Sequence, residues 1–200
     1  MTDPIHAQFV PATLADIPVL VDMMSGVYAY EGKKPDAAGW TTAVAELIQT
    51  SSLGKLWMIH WQGQPIGYVA VTFGFTLEFY GRTATIDELF VASQYRSHGI
   101  GGQAIEFVEA YVRSIGLRSL MLEVDSANTR GQRFYEARGF QYYPHMHIMN
   151  KQLQIVNSED IAAVCKANGV TNAAEINKIA NDSENDMRRV KRAVWATKQA

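Results

Sequence analysis

The sequence predicts a mixed α/β domain with a three-layer core, and three observations carry that prediction. Apolar runs at 55–61, 66–75 and 83–91 are short and bounded by turn residues, the mark of buried strands. Ile100, Ala104, Ile105, Val108, Val112 and Ile115 fall on one stripe of a helix that follows the third run. Another apolar run, 118–124, comes next, so strands and helices alternate through the middle of the chain.

Each element can be justified in order. A first strand is expected at 7–10. Thr13-Leu14-Ala15-Asp16 opens a helix as a capping box would, with Leu20, Val21, Met24 and Val27 on one face. A second helix spans 37–49. The strands 55–61 and 66–75 join at Gln62-Gly63-Gln64-Pro65, whose residues suit a tight turn. The central strand is 83–91, and after its helix and the strand at 118–124 come a helix at 130–138 and a closing hairpin at 141–149. The expected order is β-α-α-β-β-β-α-β-α-β-β. Beyond 155 the composition changes, and three helices are expected at 157–168, 171–181 and 183–200, with caps at Ser158 and Ser183 and a break at Gly169. The expected division is therefore a domain at 6–154 and a helical extension at 155–200.

Composition bounds the function. The chain has 200 residues, 48% hydrophobic and 19% charged, which is the profile of a globular protein. A net charge of −2 gives no general attraction to nucleic acid or an acidic membrane. No run approaches the roughly eighteen apolar residues of a membrane span. The opening Met1-Thr2-Asp3-Pro4-Ile5-His6 lacks a signal peptide's basic and apolar regions, so a cytoplasmic location is expected. A single cysteine, Cys165, excludes an internal disulfide framework. Ile161, Val164, Gly169, Val170 and Ile176 hint at a helix-turn-helix, but in the tail only Arg188, Arg189, Lys191 and Arg192 cluster as a basic face. The stripe Met187, Val190, Val194 and Trp195 instead implies packing on the main domain or on a second subunit, a homodimer being one way to cover it.

The chemistry concentrates in two segments. Arg96-Ser97-His98-Gly99-Ile100-Gly101-Gly102 lies between the central strand and the striped helix. Glycine lets backbone N–H groups approach a diphosphate, and a helix start adds free donors and the positive end of its dipole. Arg96 supplies a fixed charge. A dinucleotide fingerprint needs a third glycine that is missing here, and a P-loop needs a Gly-Lys-Ser/Thr that does not follow. The second segment runs from Asn128 to Phe140. Asn128 can cap a helix or bond amides, Gly139 can end the helix in the left-handed conformation, and Tyr135 is either a core aromatic or a functional phenol.

Together these segments resemble the GNAT acetyltransferase superfamily. Arg96-x-x-Gly99-x-Gly101 is similar to its coenzyme A pyrophosphate loop, and Leu89-Phe90-Val91 to the strand end before it. Asn128, Tyr135 and Gly139-Phe140 fit the spacing of its second motif. The resemblance implies acetyl-CoA as co-substrate, no metal, and cofactor contacts at Phe90, Val91, Arg96, Ser97, His98, Gly99, Ile100, Gly101, Gly102, Asn128 and Tyr135. It implies a backbone N–H near Val91 that polarises the thioester carbonyl, and Tyr135 as the acid that protonates the departing thiolate.

Within the superfamily, Pro11-Ala12-Thr13-Leu14-Ala15-Asp16 with Tyr30-Glu31, and Phe79-Tyr80-Gly81-Arg82 before Ile86-Asp87-Glu88-Leu89, resemble the spermidine/spermine N-acetyltransferase group. That likeness implies an amine pocket lined by Tyr30, Glu31 and Asp87. An alkyl amine with a pKa of about 10 arrives protonated, so a carboxylate must attract the cation and take its proton. Asp87 and Glu88 are the candidates. Strict alternation puts them on opposite faces, with Asp87 on the side of Leu89 and Val91, the side the resemblance turns toward substrate. The expected activity is acetyl transfer to a primary amine of a small molecule, a di- or polyamine among the options, by direct attack in a ternary complex. A protein N-terminus, a peptide or an amino acid is the alternative acceptor. An acyl-CoA-binding sensor is the alternative of another class.

Overall fold

The computed structural model describes residues 6–30, 35–145, 148–149 and 158–182. Contacts divide the chain into two compact units, one up to Tyr142 and one from Tyr143.

The first unit is a five-stranded sheet in the order β1-β2-β3-β4-β5. Its strands are β1 (Gln8–Pro11), β2 (Gly54–Trp61), β3 (Gln64–Thr76), β4 (Gly81–Val91) and β5 (Leu120–Leu122). Strands β1 to β4 are antiparallel, and β5 joins β4 in parallel after a helical crossover. The β2–β3 turn has two residues, Gln62 and Gly63, both at positive φ (49° and 77°), the backbone a tight hairpin requires. Before the sheet closes come α1 (Ile17–Tyr30) and α2 (Ala37–Gln49). The Asp16 carboxylate accepts from the Thr13 N–H and hydroxyl at the start of the first, and Asp36 caps the second through the Gly39 N–H.

Alternation along the buried strands builds two cores, one on each sheet face. Leu56, Met58, Tyr68 and Ala70 meet Leu20, Met24 and Val44 of α1 and α2. Trp57, Val69, Val71, Ala84 and Ile86 meet Ile105, Val108 and Val112 of α3 (Ile100–Ser114). Each fully buried aliphatic side chain contributes about 2 kcal/mol. That is the three-layer arrangement the sequence predicts.

Two expectations need correction. The strand expected at 118–124 is only Leu120–Leu122, paired from Ala84↔Leu120 to Ile86↔Leu122. The next residue of β4, Asp87, is the extra residue of a bulge, since Ala70 faces Glu88 while Val71 faces Ile86. A bulge bends its strand, so β4 leaves β5 where the pairing stops. The hairpin expected at 141–149 is absent among the described residues there. Tyr142, Tyr143, Ile148 and Met149 are exposed, and Pro144 brings no N–H to a ladder.

A fourth helix, α4 (Thr129–Glu136), follows β5. The second unit holds α5 (Ser158–Ala167) and α6 (Ala173–Asp182), which pack through Ile161, Cys165, Val170 and Ile179. Gly169 at φ 83° ends α5, with the Val170 N–H donating to the Cys165 carbonyl (2.9 Å), and Asn172 caps α6. The apolar residues that hinted at a helix-turn-helix are the packing residues of this hairpin. The helix expected at 183–200 and its stripe lie outside the described residues.

Candidate active site

The end of β4 and the start of α3 form the centre of the site. On one side, β4 stays paired to β3 as far as Gly67↔Val91. Gly67 permits this approach, because a Cβ there would collide with the Phe90 carbonyl oxygen. The Ala92 N–H donates to Ile66 on β3 (2.9 Å). The N–H and C=O of one strand residue point the same way and alternate along the strand, so those of Val91 point away from β3. The Val91 carbonyl accepts from Arg96 Nε at 2.7 Å, which fits that direction. Val91 therefore presents its N–H on the side where β5 has already stopped.

The loop from Arg96 to Gly102 turns through two left-handed residues, Ser97 (φ 66°) and Gly99 (φ 82°). Arg96 is held by Val91, and its guanidinium carbon stands 5.8 Å from the Phe90 ring centroid. His98 Nδ1 lies 2.8 Å from the Arg96 carbonyl, and Arg130 of α4 donates to the Ser97 hydroxyl (3.1 Å). The first helical bond of α3 is Gln103 N–H to the Gly99 carbonyl (3.1 Å). Ile100, Gly101 and Gly102 thus contribute N–H groups without helical acceptors, no side chain caps the helix at Gly99, and its first turn carries no acid. An anion is the ligand this concavity suits. The loop residues fit the diphosphate of coenzyme A, with Ile100 anchoring the helix start in the core at 1% exposure.

The two loop glycines serve different ends. Gly99 is needed for its backbone angle, and a Cβ there would meet open space. A Cβ on Gly101 would stand 3.1 Å from Phe134 Cζ, so that glycine admits α4. Packing against Phe134 is by itself a reason for glycine at this position.

Helix α4 carries the second motif. The Asn128 carboxamide oxygen accepts from the Gly131 N–H at 2.8 Å, so Asn128 acts as a helix cap. Gly139 is at φ 85° and the Phe140 N–H donates to the Tyr135 carbonyl (3.2 Å), which closes the helix. Tyr135 stands edge-on between Phe134 (5.0 Å) and Phe140 (5.7 Å). Burial pushes its hydroxyl above the ordinary tyrosine value, which keeps it protonated. Among the described residues no group hydrogen-bonds this hydroxyl.

The carboxylates divide sharply. The alternation that would group Asp87 with Leu89 and Val91 is interrupted at the bulge. Leu89 and Val91 pack toward Ile59, Ile66, Ile100 and Ala104 on the α3 side, and Asp87 is exposed. Glu88 is half-buried on the opposite face, with Phe90. It accepts from the Tyr68 hydroxyl (2.7 Å) at Oε2 and from the Tyr28 hydroxyl (3.4 Å) at Oε1. Tyr68 is 1% exposed, and burial, reinforced by the Glu88 charge, holds its phenol far above the ordinary value. Tyr28 also packs edge-on against Trp40 of α2 (4.7 Å). Tyr30 ends α1, and Glu31 lies outside the described residues.

Sequence reasoning missed Tyr28, Tyr68 and Trp40. The available signal was Tyr68 itself, a phenol inside the apolar run 66–71 that needed an acceptor when buried.

The model of the acetyltransferase (GNAT) family matches residues 27–140, more than half of the chain. A search of curated proteins finds no match. Among solved structures, the chain is similar to the integron cassette protein HFX_CASS3 from the mobile metagenome of Cole Harbour Salt Marsh. That pair shares 27% identity over 74% of this chain and 91% of the other, with a TM-score of 0.66. A predicted acetyltransferase from Clostridium acetobutylicum, solved with acetyl-CoA, aligns at 18% identity over 72% and 96% of the two chains, TM-score 0.62. The aminoglycoside N-acetyltransferase AAC(6')-Iy, solved with CoA, aligns at 14% identity over 76% and 99%, TM-score 0.64. The last two show a shared fold.

Proposed function

The chain belongs to the acetyltransferase (GNAT) family and is an acetyl-CoA-dependent acetyltransferase, and on that premise we propose that it acetylates a primary amine of a small cationic molecule by direct attack in a ternary complex. The observation that carries this reading is Glu88, a half-buried carboxylate held by Tyr28 and Tyr68 on the face shared with Phe90. Aromatic rings beside a carboxylate attract an ammonium by charge and by cation–π contact. Of the two candidate acids, Glu88 rather than the exposed Asp87 takes the role of base in this reading.

Acetyl-CoA supplies the thioester carbonyl and the leaving sulfur. Glu88 accepts a proton from the ammonium, directly or through water, which frees the nitrogen lone pair. The Val91 N–H steadies the carbonyl oxygen as the N–C bond forms and the C–S bond breaks. Tyr135 gives its proton to the sulfur and regains one from solvent, the nitrogen sheds its second proton to solvent as the amide forms, and the Glu88 proton leaves with solvent, so one proton is released per turnover. Arg96 and the N–H groups of Ile100, Gly101 and Gly102 hold the diphosphate. We assign catalysis to residues 6–154 and leave 155–200 outside the chemistry.

A panel of mono-, di- and polyamines, aminoglycosides, amino acids and N-terminal peptides, assayed with acetyl-CoA and thiol detection, tests the reading. Turnover confined to small cationic amines supports it. Turnover only with peptides would move the acceptor to a protein N-terminus. Binding of acetyl-CoA with no turnover on any acceptor would make the protein a sensor.

A further inference from the structure

The glycine pair of α3 and an aromatic–guanidinium pair of the α4 segment fit one another. Gly101 faces Phe134, as noted above. A Cβ on its buried neighbour Gly102 would lie 2.5 Å from Arg138 Nη2 and 3.4 Å from its Cζ. Two side chains are absent from one side of the contact, and two large ones fill the space from the other. Arg138 is half-buried there, its Cζ 3.8 Å from the Phe134 ring centroid, and its Nη1 donates to the Phe134 carbonyl (2.9 Å). The guanidinium stands against the first turn of α3, the positive end of that helix, where a cation is not favoured by the dipole. Stacking and the carbonyl bond are what hold it. A planar guanidinium lies flat on the ring while its fixed donors reach the carbonyl, a stacked geometry that a lysine ammonium does not reproduce.

Tyr135 lies next to Phe134 in the chain and edge-on to it in space. Its hydroxyl has no hydrogen-bond partner among the described residues, so the phenol's position is set by packing. The turn against which Phe134 and Arg138 pack is the turn that begins the diphosphate loop's helix. We infer that Arg138, stacked on Phe134 in the slot left by Gly101 and Gly102, is a positioning residue that sets the Tyr135 hydroxyl relative to the cofactor loop. The inference rests on the reading of Tyr135 as the acid. It concerns the rate of the chemical step and leaves cofactor affinity to Arg96 and the loop.

The test measures kcat, acetyl-CoA KM and melting temperature for Arg138→Met, Arg138→Lys and Gly102→Ala, each alone and combined with Tyr135→Phe. Arg138→Met keeps the stem and loses the planar cation, and kcat should fall about tenfold, the scale of a modest misplacement. Acetyl-CoA KM should stay within about twofold. Arg138→Lys should fail to restore kcat, and Gly102→Ala, which fills the slot from the other side, should reproduce the loss. In the Tyr135→Phe background each second substitution should change kcat by less than about twofold, because its target is gone. Gly102→Ala and Arg138→Lys decide the matter if Arg138→Met does not fold. A parent-like kcat in Arg138→Met, or losses that multiply with that of Tyr135→Phe, overturns the positioning role. A parent-like kcat in Tyr135→Phe alone overturns the acid role instead.

Discussion

The two halves of the site are built differently. On the proposed cofactor side, the turn and the helix are each shaped by residues close in sequence, and Arg130, Phe134 and Arg138 join the one to the other. Arg96, Ser97 and Gly99 shape one turn, and Asn128, Gly131 and Gly139 shape one helix. On the proposed acceptor side, Glu88 meets Tyr68 across two strands and Tyr28 from a helix, at separations of 20 and 60 residues. A local turn needs only its own backbone angles, whereas the carboxylate cluster exists only once the β3–β4 register and the bulge at Asp87 are in place. Defects on the cofactor side should therefore appear in acetyl-CoA binding or thiolate protonation, and defects on the acceptor side in amine recognition.

The largest single effect expected on the cofactor side is that of Tyr135→Phe. It keeps the ring and removes the proton, so kcat should fall about 10²-fold while acetyl-CoA affinity, measured by calorimetry, barely changes. The donor form must be protonated and burial raises its pKa, so the parent's kcat should show no alkaline loss from this group below pH 10.0, the ordinary value. A rate within about twofold of the parent would return Tyr135 to the core.

Gly99→Ala should come next. The added Cβ has room, but the left-handed backbone costs about 1 kcal/mol, enough to weaken acetyl-CoA binding by roughly fivefold. The amine KM should not move. Unchanged acetyl-CoA affinity would mean the loop does not need that angle to bind.

Tyr28→Phe breaks the separation from the other direction. Losing one hydrogen bond to Glu88 should raise the amine KM by about three- to fivefold and leave acetyl-CoA KM alone, the scale of one modest bond. Equal shifts in both constants would show that the two halves are not separable.

Tyr68→Phe should act mainly on stability. The Tyr68 phenol is raised in the folded state, so its contribution is fully present below the unfolded value of 10.0 and is lost as pH rises past it. At neutral pH the variant should lose about 1 kcal/mol for the missing bond to Glu88. Above about pH 10 its melting temperature should fall less steeply than the parent's. Parallel curves would remove Tyr68 from the alkaline transition.

The same contrast explains what could be read in advance. The strands at 55–61, 66–75 and 83–91 and the α3 stripe were legible because burial imposes its period on the residues themselves. Gly99, Asn128 and Gly139 were legible because turns and caps demand particular residue types. The bulge at Asp87 was not, since no glycine marks it, and with it went the orientation of both acids. The long strand at 118–124 was overread for the same reason, because an apolar run remains a strand only while a neighbour pairs with it. Gly101 was read as phosphate access because its contact, Phe134, lies 33 residues away. The hairpin expected at 141–149 is missing among the described residues because Tyr142 and Tyr143 are exposed and Pro144 has no N–H to give a ladder.

The central claim is that Glu88, and not its neighbour Asp87, receives the amine proton. The most direct test is kcat/KM against pH for Glu88→Gln and Asp87→Asn with the best amine of the panel. Glu88→Gln should lose about 10²-fold or more and change the shape of the profile, while Asp87→Asn should stay within about threefold with the parent's shape. A profile for Glu88→Gln that superimposes on the parent's, with the loss transferred to Asp87→Asn, would contradict the account.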